Sequence, residues 1–326
     1  MQTTLPVKFE STPNTIIQAI HMVVQHTDQA SLSLSEVMGY TSHAFRINVR
    51  PQSIETDSPY TIHGGEAMRR GFRLLGYNTQ VICPPVKTIT SDMLTDIIHT
   101  IRHSLDRGFP VVAWNMFAVE FGVIYGYDDS RKVLFAMDNS FDGPIPYDQL
   151  PNRRVLALCV MDQPIEIGRR ERLKETVAAI LDHAYSRDGL AWDQARDGLR
   201  GYDAWIDAFN GGKISNKGNA LNLHLLADAR RHAVAFLELM SAQWDDGTSF
   251  GTNVSRLAKQ AAVHYADVLD NLGELTAMYP YPLSKRGANP RQRENVPRSI
   301  ELLGRAREAE VQGIAVLNEI YGAVNK

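Results

Sequence analysis

The spacing of apolar residues changes near Pro164, and this change constrains the fold more than any single motif. Before it, helical stripes alternate with short β-branched apolar runs, whereas after it every long segment has helical spacing. Helices and strands bury their apolar side chains with different periods, so the two parts favour different structures. The sequence predicts an α+β domain with an antiparallel sheet over residues 1–164, followed by an all-α helical domain over 165–326.

The first part opens with helices. The isoleucines and valines of residues 14–26 recur at helical spacing and predict a buried helix. Ser33 and Glu36 have the spacing of a capping box ahead of a short second helix. The same apolar spacing predicts helices over 65–75 and 91–107.

The apolar runs that follow these helices are short and rich in β-branched residues, as strands are. The turn residues Asp128-Asp129-Ser130 separate two of these runs. Because so short a connection joins only antiparallel neighbours, the two runs are predicted to pair antiparallel. The predicted strands are 44–49, 78–82, 110–117, 121–127, 132–137 and 154–161.

The second part is predicted to be helical throughout. A stretch rich in proline and glycine, residues 278–297, interrupts the pattern and is predicted to be a loop. The predicted helices are 168–186, 201–209, 219–246, 250–278 and 297–324.

Charge and cysteine content exclude several classes of protein. The 326 residues carry a net charge of -3, which gives no strong field to attract nucleic acid or an anionic membrane. Two cysteines, Cys83 and Cys159, are too few for a disulfide framework and fit a reducing compartment. We find no signal-peptide pattern and no membrane-length apolar run, so we expect a cytoplasmic protein.

Three short patterns occur in a characteristic order. Thr15 opens the first helix and precedes Met22 by seven residues. Glu120 stands directly before the strand sequence FGVIYGYD, and Asp138 follows the next strand. This order resembles papain-like cysteine peptidases of the bacteriocin-processing type and, more closely, the N-terminal domains of the butirosin-biosynthesis acyltransferase family. The resemblance covers roughly residues 10–162.

Two further segments are similar to stretches in members of that family: MGYTSHAFR, residues 38–46, and GYDAWI, residues 201–206. The resemblance implies a papain-like N-terminal domain whose cleft the helical domain covers. It also implies a role in specialised-metabolite biosynthesis.

The residues at the family's catalytic positions differ from the family pattern. Thr15 stands where the resemblance implies a nucleophilic cysteine, Glu120 stands where it implies histidine, and only Asp138 is retained. A cysteine peptidase needs a thiolate, and a threonine hydroxyl is far too weak an acid to replace it. We therefore do not expect cysteine-protease chemistry, and whether the chain is an enzyme stays open.

The remaining cleft still suits a small ligand. A helix N-terminus beside Thr15 and the guanidinium of Arg46 would attract anions, while Glu120 and Asp138 would attract cations. We expect a small amine- or carboxylate-bearing metabolite to bind there, without a metal or cofactor. We also expect Trp205 and Arg230 of the helical domain to contact it.

Other interpretations of the same residues stay open. Thr15 could instead cap its helix, Glu120 could be a solvated strand end, and Asp138 could hold a turn. The chain could be an acyltransferase or amide hydrolase with a nucleophile other than cysteine and with His43 or His63 as the base. It could also be a protein-interaction module that acts through the helical domain, and the chain could form a homodimer.

Overall fold

The computed structural model describes residues 1–51, 53–85, 89–152, 156–284 and 287–325. It is a mixed α+β protein with an antiparallel sheet, as the sequence predicts. Within the described part of the chain, no helix is both long and apolar enough to cross a membrane.

The chain forms two compact units. The first unit comprises residues 1–37 and 65–167, and the second comprises 38–64 and 168–326. The chain passes from the first unit to the second for the last time between residues 167 and 168, three residues after the domain boundary expected at residue 164. Residues 38–64, which the sequence analysis assigned to the N-terminal domain, cluster instead with the second unit.

The described strands and helices alternate along the first part of the chain and become purely helical towards its end. The strands are β1 (Gln2–Thr4), β2 (Asn48–Val49), β3 (Tyr77–Ile82), β4 (Val111–Trp114), β5 (Phe121–Asp128), β6 (Val133–Met137), β7 (Asp142–Pro146), β8 (Ala157–Pro164) and β9 (Arg196–Asp197). The helices are α1 (Thr15–Val24), α2 (Leu34–Tyr40), α3 (Gly64–Leu74), α4 (Ser91–Asp106), α5 (Arg169–Ala184), α6 (Leu199–Asn210), α7 (Asn216–Trp244), α8 (Ser249–Met278) and α9 (Val296–Val324).

The first unit is built on one antiparallel sheet with the strand order β3-β8-β4-β5-β6-β7, and β1 pairs with β5. Helix α1 packs against β4 and β5, and α4 packs against β4, β5 and β8. The carboxylate of Asp128 closes the β5–β6 turn by accepting hydrogen bonds from the amide of Ser130 at 2.9 Å and from its hydroxyl at 2.6 Å. This turn sets the register in which Tyr127 lies opposite Leu134, and an irregularity between Ile124 and Gly126 shifts the register so that Val123 lies opposite Met137.

Local sequence signals account for the helix ends of the first unit. The predicted capping box is confirmed: Ser33 N donates to Glu36 Oε2 at 2.9 Å, and Glu36 N donates to Ser33 Oγ at 3.3 Å. Helix α3 ends before Gly76, which has φ +92 and so can adopt the left-handed conformation that ends helices.

The second unit holds helices α5–α9, and the small β2–β9 ribbon joins its two chain segments. Helix α6 contributes the buried Tyr202 and Trp205 to the core. Helices α8 and α9 face that core with Leu272 and Leu302, both fully buried. The five long helices agree with the sequence prediction to within a few residues at each end.

The observed strands depart from the prediction at residues 44–49 and at β7. Residues 44–49 form a 3₁₀ turn, His43–Phe45, and only the two-residue β2, because Phe45 is buried against the rings of aromatic residues from the helices. The strand predicted over 154–161 is β8, and residues 154 and 155 lie outside the described part. Strand β7 was not predicted since its sequence, DGPIP, resembles a turn, yet an edge strand tolerates proline.

We expect Gly122→Ala to lower the free energy of unfolding by at least about 2 kcal/mol, since the added carbon overpacks the sheet. A Cβ at Gly122 would lie 2.2 Å from the backbone oxygen of Met137 and 2.9 Å from Cβ of Asp138. Urea unfolding followed by circular dichroism measures the change. Gly273→Ala in α8, where a Cβ meets nothing within 4 Å, is the control and should be neutral or stabilising.

Candidate functional site

The first turn of α1 and the start of β5 are joined by one side chain. Thr15, the first residue of α1, is buried, and its Oγ1 accepts a hydrogen bond from the amide of Phe121 at 3.2 Å. Phe121 is the first residue of β5, so this bond brings Thr15 next to the peptide that follows Glu120. We call Thr15, Glu120 and Asp138, with the loop residues 139–141, the Glu120 site.

Asp138 organises the loops of the Glu120 site. Its Oδ2 accepts hydrogen bonds from the amides of Phe117 at 3.1 Å and Ala118 at 2.9 Å. Its Oδ1 accepts from the amides of Ser140 at 2.8 Å and Phe141 at 3.0 Å. The carboxylate is buried, and four N–H donors satisfy it in place of water. These contacts are those of a residue that holds a turn, which is one of the interpretations of Asp138 given above.

The loop before β5 fixes the backbone of Glu120. Asn115 adopts φ +63, a conformation that asparagine tolerates better than most residues, and its amide donates to Glu120 O at 2.9 Å. The amide of Glu120 donates in turn to Ala118 O at 2.8 Å. Glu120 is thus held at both its amide and its carbonyl.

The Glu120 carboxylate faces the loop that Asp138 shapes. Ser140 Oγ donates to Glu120 Oε1 at 3.2 Å, and Asn139 Nδ2 lies 3.5 Å from Oε2. Partial burial, followed by the negative charge of Asp138, raises the pKa of Glu120. Among the described residues, neither carboxylate forms an ion pair with a basic side chain. The two acids of the site therefore lack a protein counter-charge in this part of the chain.

The N-terminus of α1 is not an open anion site. The amide of Thr15 donates to Pro13 O at 3.2 Å, and those of Ile17 and Gln18 donate to Asn14 O at 3.0 Å and 3.1 Å. The amides on which the expected carboxylate-binding end depended are thus largely occupied. The N-terminus of α1 therefore does not support binding of a ligand carboxylate, and the expectation that remains is a ligand that carries an amine.

In the described part of the chain, no base contacts the hydroxyl of Thr15. Among the described hydrogen bonds, its oxygen accepts one from the Phe121 amide, and no histidine or carboxylate atom accepts a hydrogen bond from the hydroxyl. A threonine nucleophile needs such a base to lose its proton at neutral pH. The geometry therefore gives no support to the acyltransferase or amide-hydrolase alternative.

Arg46, expected beside Thr15, belongs to the second unit and is committed to a buried ion pair there. Its Nη2 lies 2.9 Å from Asp188 Oδ2, and both side chains are buried. His183 Nδ1 lies 3.1 Å from the same oxygen and 4.0 Å from Asp197 Oδ2. Sequence analysis did not identify His183, Asp188 or Asp197. We call these three residues, together with Arg46, the Arg46 network.

Three members of the Arg46 network, His183, Asp188 and Asp197, have the ligand types of a metal site, and their atoms lie within 4.8 Å of one another. The hydrogen bonds of His183 argue against a metal site here. The amide of Ile47 donates to His183 Nε2 at 3.0 Å, so Nε2 carries the lone pair and Nδ1 carries the proton. Nδ1 therefore donates to Asp188 and has no lone pair for a metal, and Arg46 supplies the cation.

The two histidines considered as bases also lie in the second unit. His43 Nδ1 is 3.1 Å from the carbonyl oxygen of Thr41, which only accepts, so Nδ1 carries the proton. The other nitrogen, Nε2, is buried without a hydrogen-bond partner among the described residues. His63 is exposed, and its backbone amide donates to Leu190 O at 2.8 Å.

Trp205 and Arg230, expected to contact a ligand, are fully buried structural residues. Trp205 Nε1 donates to Asn219 Oδ1 at 2.9 Å. Arg230 makes a bidentate pair with Glu310, at 2.9 Å from Nε and 2.7 Å from Nη2. Its Nη1 donates to the carbonyl oxygen of Ala44 at 2.9 Å. Both side chains use their polar groups on the protein itself.

The two cysteines differ in environment. Cys159 is buried, and burial raises the pKa of its thiol to about 12, so it is not an activated nucleophile. Cys83 is exposed.

No protein-family model matches the chain, and no curated protein matches its sequence. The site must therefore be interpreted from its own geometry.

We expect Asp138→Asn to lower the free energy of unfolding by about 2–3 kcal/mol, because an amide NH₂ replaces an acceptor that takes two N–H bonds. Urea unfolding measures this loss. Hydrogen exchange should become faster in residues 115–118 and 139–141, where the four donors lie. Asp148→Asn, at an exposed acid of the same unit, is the control. Unchanged exchange in both loops would contradict the role given to Asp138.

The histidines of the second unit predict a pH dependence of stability. Burial, followed by the charge of Arg46, lowers the pKa of His183 to about 4 and that of His43 to about 3. Unfolded histidines titrate near 6.5, so below that pH the unfolded chain binds protons that the folded chain does not. As pH is lowered from 6.5 to about 4, the free energy of unfolding should therefore fall by about 1.4 kcal/mol per pH unit for each of the two histidines.

His183→Gln tests this pH dependence, since its amide oxygen can still accept from the Ile47 amide but does not titrate. In the wild type, Asp188, Asp197, Arg46 and His43 surround His183. Burial of Asp188 is outweighed there by its contacts with His183 and Arg46, so the pKa of Asp188 is lowered. We expect the variant to lose one histidine's share of the slope in urea unfolding at pH 7, 6 and 5. The exposed His63→Gln should keep the wild-type slope, and equal slopes in all three proteins would refute the assignment.

Proposed function

We propose that this chain is a papain-like-fold protein without the catalytic thiol, and that its first unit binds a small amine-bearing metabolite at the Glu120 site. One observation carries the proposal: two neighbouring carboxylates, Glu120 and Asp138, have no basic partner among the described residues. A ligand ammonium would supply the missing charge.

The arrangement of the first unit supports the papain-like part of this proposal. Helix α1 begins at Thr15 and packs on an antiparallel sheet. Strand β5 begins directly after Glu120, and β6 ends directly before Asp138. These are the positions at which the resemblance implies nucleophile, histidine and orienting acid.

The division of roles between the two acids supports an amine as the ligand. Four amides already satisfy Asp138, which leaves Glu120 as the carboxylate with capacity to accept further hydrogen bonds. Hydrogen bonds from an ammonium to a carboxylate are charge-assisted and stronger than neutral ones. Asp138 adds a second negative charge close by without needing to touch the ligand.

No contact among the described residues favours the acyl-transfer alternative, because none of them places a base at the Thr15 hydroxyl. The protein-interaction alternative stays a prediction. Binding is therefore the activity that we propose, in the specialised-metabolite context that the resemblance implies.

Glu120→Gln tests the proposal with three probes of one length: n-butylamine, n-butanol and butyrate. In calorimetric titration at pH 7.5, the wild type should bind the amine at least about tenfold more tightly than the other two, because charge-assisted bonds are worth about 1.5–3 kcal/mol. The variant should lose this preference. Its thermal midpoint should stay near that of wild type, since Glu120 is only partly buried.

Amine binding should weaken as pH falls. The weakening should begin at a higher pH than it would for a glutamate with an ordinary pKa. The raised pKa of Glu120 means that the carboxylate is protonated, and loses its charge, sooner as pH falls. Asp96→Asn, at an exposed acid on α4, is the matched control and should bind as wild type does. Equal affinity for the amine in wild type and Glu120→Gln would refute the proposed function.

A further inference from the structure

Two exposed apolar side chains lie at the Glu120 site, one within it and one next to it along the chain. Val119, the residue before Glu120, is 75% exposed, and Phe141 is 57% exposed. Phe141 follows Ser140, whose hydroxyl donates to the Glu120 carboxylate. Single exposed apolar residues are ordinary, but Val119 adjoins Glu120 along the chain and Phe141 adjoins Ser140, which binds the Glu120 carboxylate. Among the described residues, that carboxylate has no basic partner.

The ring of Phe141 is held in place. Its amide and that of Phe117 bind opposite oxygens of Asp138. The two rings meet edge to face with centroids 5.0 Å apart. A Cβ at Gly143 would lie 2.5 Å from Phe141 Cε1, so the ring also lies directly over that glycine. Phe141 therefore remains exposed although its backbone and one edge of its ring are fixed.

We propose that the Glu120 site selects an organic ammonium with a flat apolar skeleton, such as an arylalkylamine, and that Phe141 and Val119 contact that skeleton. This inference rests on the proposed function and names its substrate class. The ammonium binds Glu120, and the face of the Phe141 ring attracts the cation through its quadrupole. The skeleton removes the exposed apolar surface of Phe141 and Val119 from water.

The same contacts disfavour a metal ion in this place. Both oxygens of Asp138 already accept two amide bonds each, so Glu120 is the remaining carboxylate ligand. Divalent Ca²⁺ and Mg²⁺ require six or more oxygen ligands, and apolar side chains offer none. An ammonium needs only a few acceptors and tolerates an apolar wall.

Three probes separate charge from skeleton: phenethylamine has both, methylamine has only the charge, and 2-phenylethanol has only the skeleton. We expect calorimetry or ligand-observed NMR at pH 7.5 to show that wild type binds phenethylamine at least about tenfold more tightly than either of the others. Equal affinities for phenethylamine and methylamine would overturn the inference.

Phe141→Ala should reduce the preference for phenethylamine over methylamine by about tenfold, because it removes the apolar surface that the skeleton covers, and it should weaken methylamine binding by a smaller factor, because methylamine loses only the attraction of the ring for the cation. Phe141→Leu keeps apolar surface but lacks the ring quadrupole and should lose a smaller part of that preference. Gly143→Ala, which displaces the ring without changing it, should also weaken phenethylamine binding. Met93→Ala, at an exposed apolar residue on α4, is the control and should bind all three probes as wild type does.

The outcomes distinguish this inference from the proposed function. If Glu120→Gln weakens the binding of both amines while Phe141→Ala changes neither, the skeleton preference is wrong and amine binding stands. If Glu120→Gln changes the binding of neither amine, both fail. Thermal midpoints close to wild type in every variant, expected since Phe141 is mostly exposed, verify that each protein is folded.

Discussion

The four amide hydrogen bonds to Asp138 are the constraint on which the candidate site depends. They join the loop before β5 to the loop after β6, two segments that the sheet alone would leave as free strand ends. They also satisfy the buried carboxylate in place of water. That fixed charge lies next to Glu120, whose proton affinity it increases. One acid thus gives the site its shape, and the other is available to a ligand.

The second unit uses its charges differently. Arg46 and Arg230 are each neutralised by an acid of the same unit, Asp188 and Glu310 respectively. Removing one partner of such a buried pair leaves an uncompensated charge, which is strongly destabilising. The basic groups that a sequence comparison would offer to an anionic ligand are therefore structural here. In the described residues of the first unit, by contrast, the Glu120 site has no such partner.

Local patterns in the sequence predicted much of the first unit. The capping box at Ser33 and Glu36 and the stripe in α1 are signals within a few residues of one another. The juxtaposition of Glu120 and Asp138 could also be predicted, because the short turn at 128–130 dictates antiparallel pairing. The saturation of Asp138 could not, since its four donors are backbone groups that leave no trace in side-chain sequence.

The contacts that the sequence did not predict join distant positions. Arg230 and Glu310 are 80 positions apart, and no periodicity connects them. The strand predicted over 44–49 failed for the same reason, because packing of Phe45 against Tyr265, at 5.0 Å between ring centroids, determines its conformation. Tertiary contact overrides local preference at such positions.

The path of the chain has a consequence for synthesis on the ribosome. Residues 38–64 leave the ribosome before most of the first unit, yet they belong to the second. The amide of Ile47 binds His183, which is 136 positions later, and Arg46 binds Asp188 beyond it. During translation this segment exists for a long interval without its partners. A fragment ending at residue 164 would carry it permanently in that incomplete state.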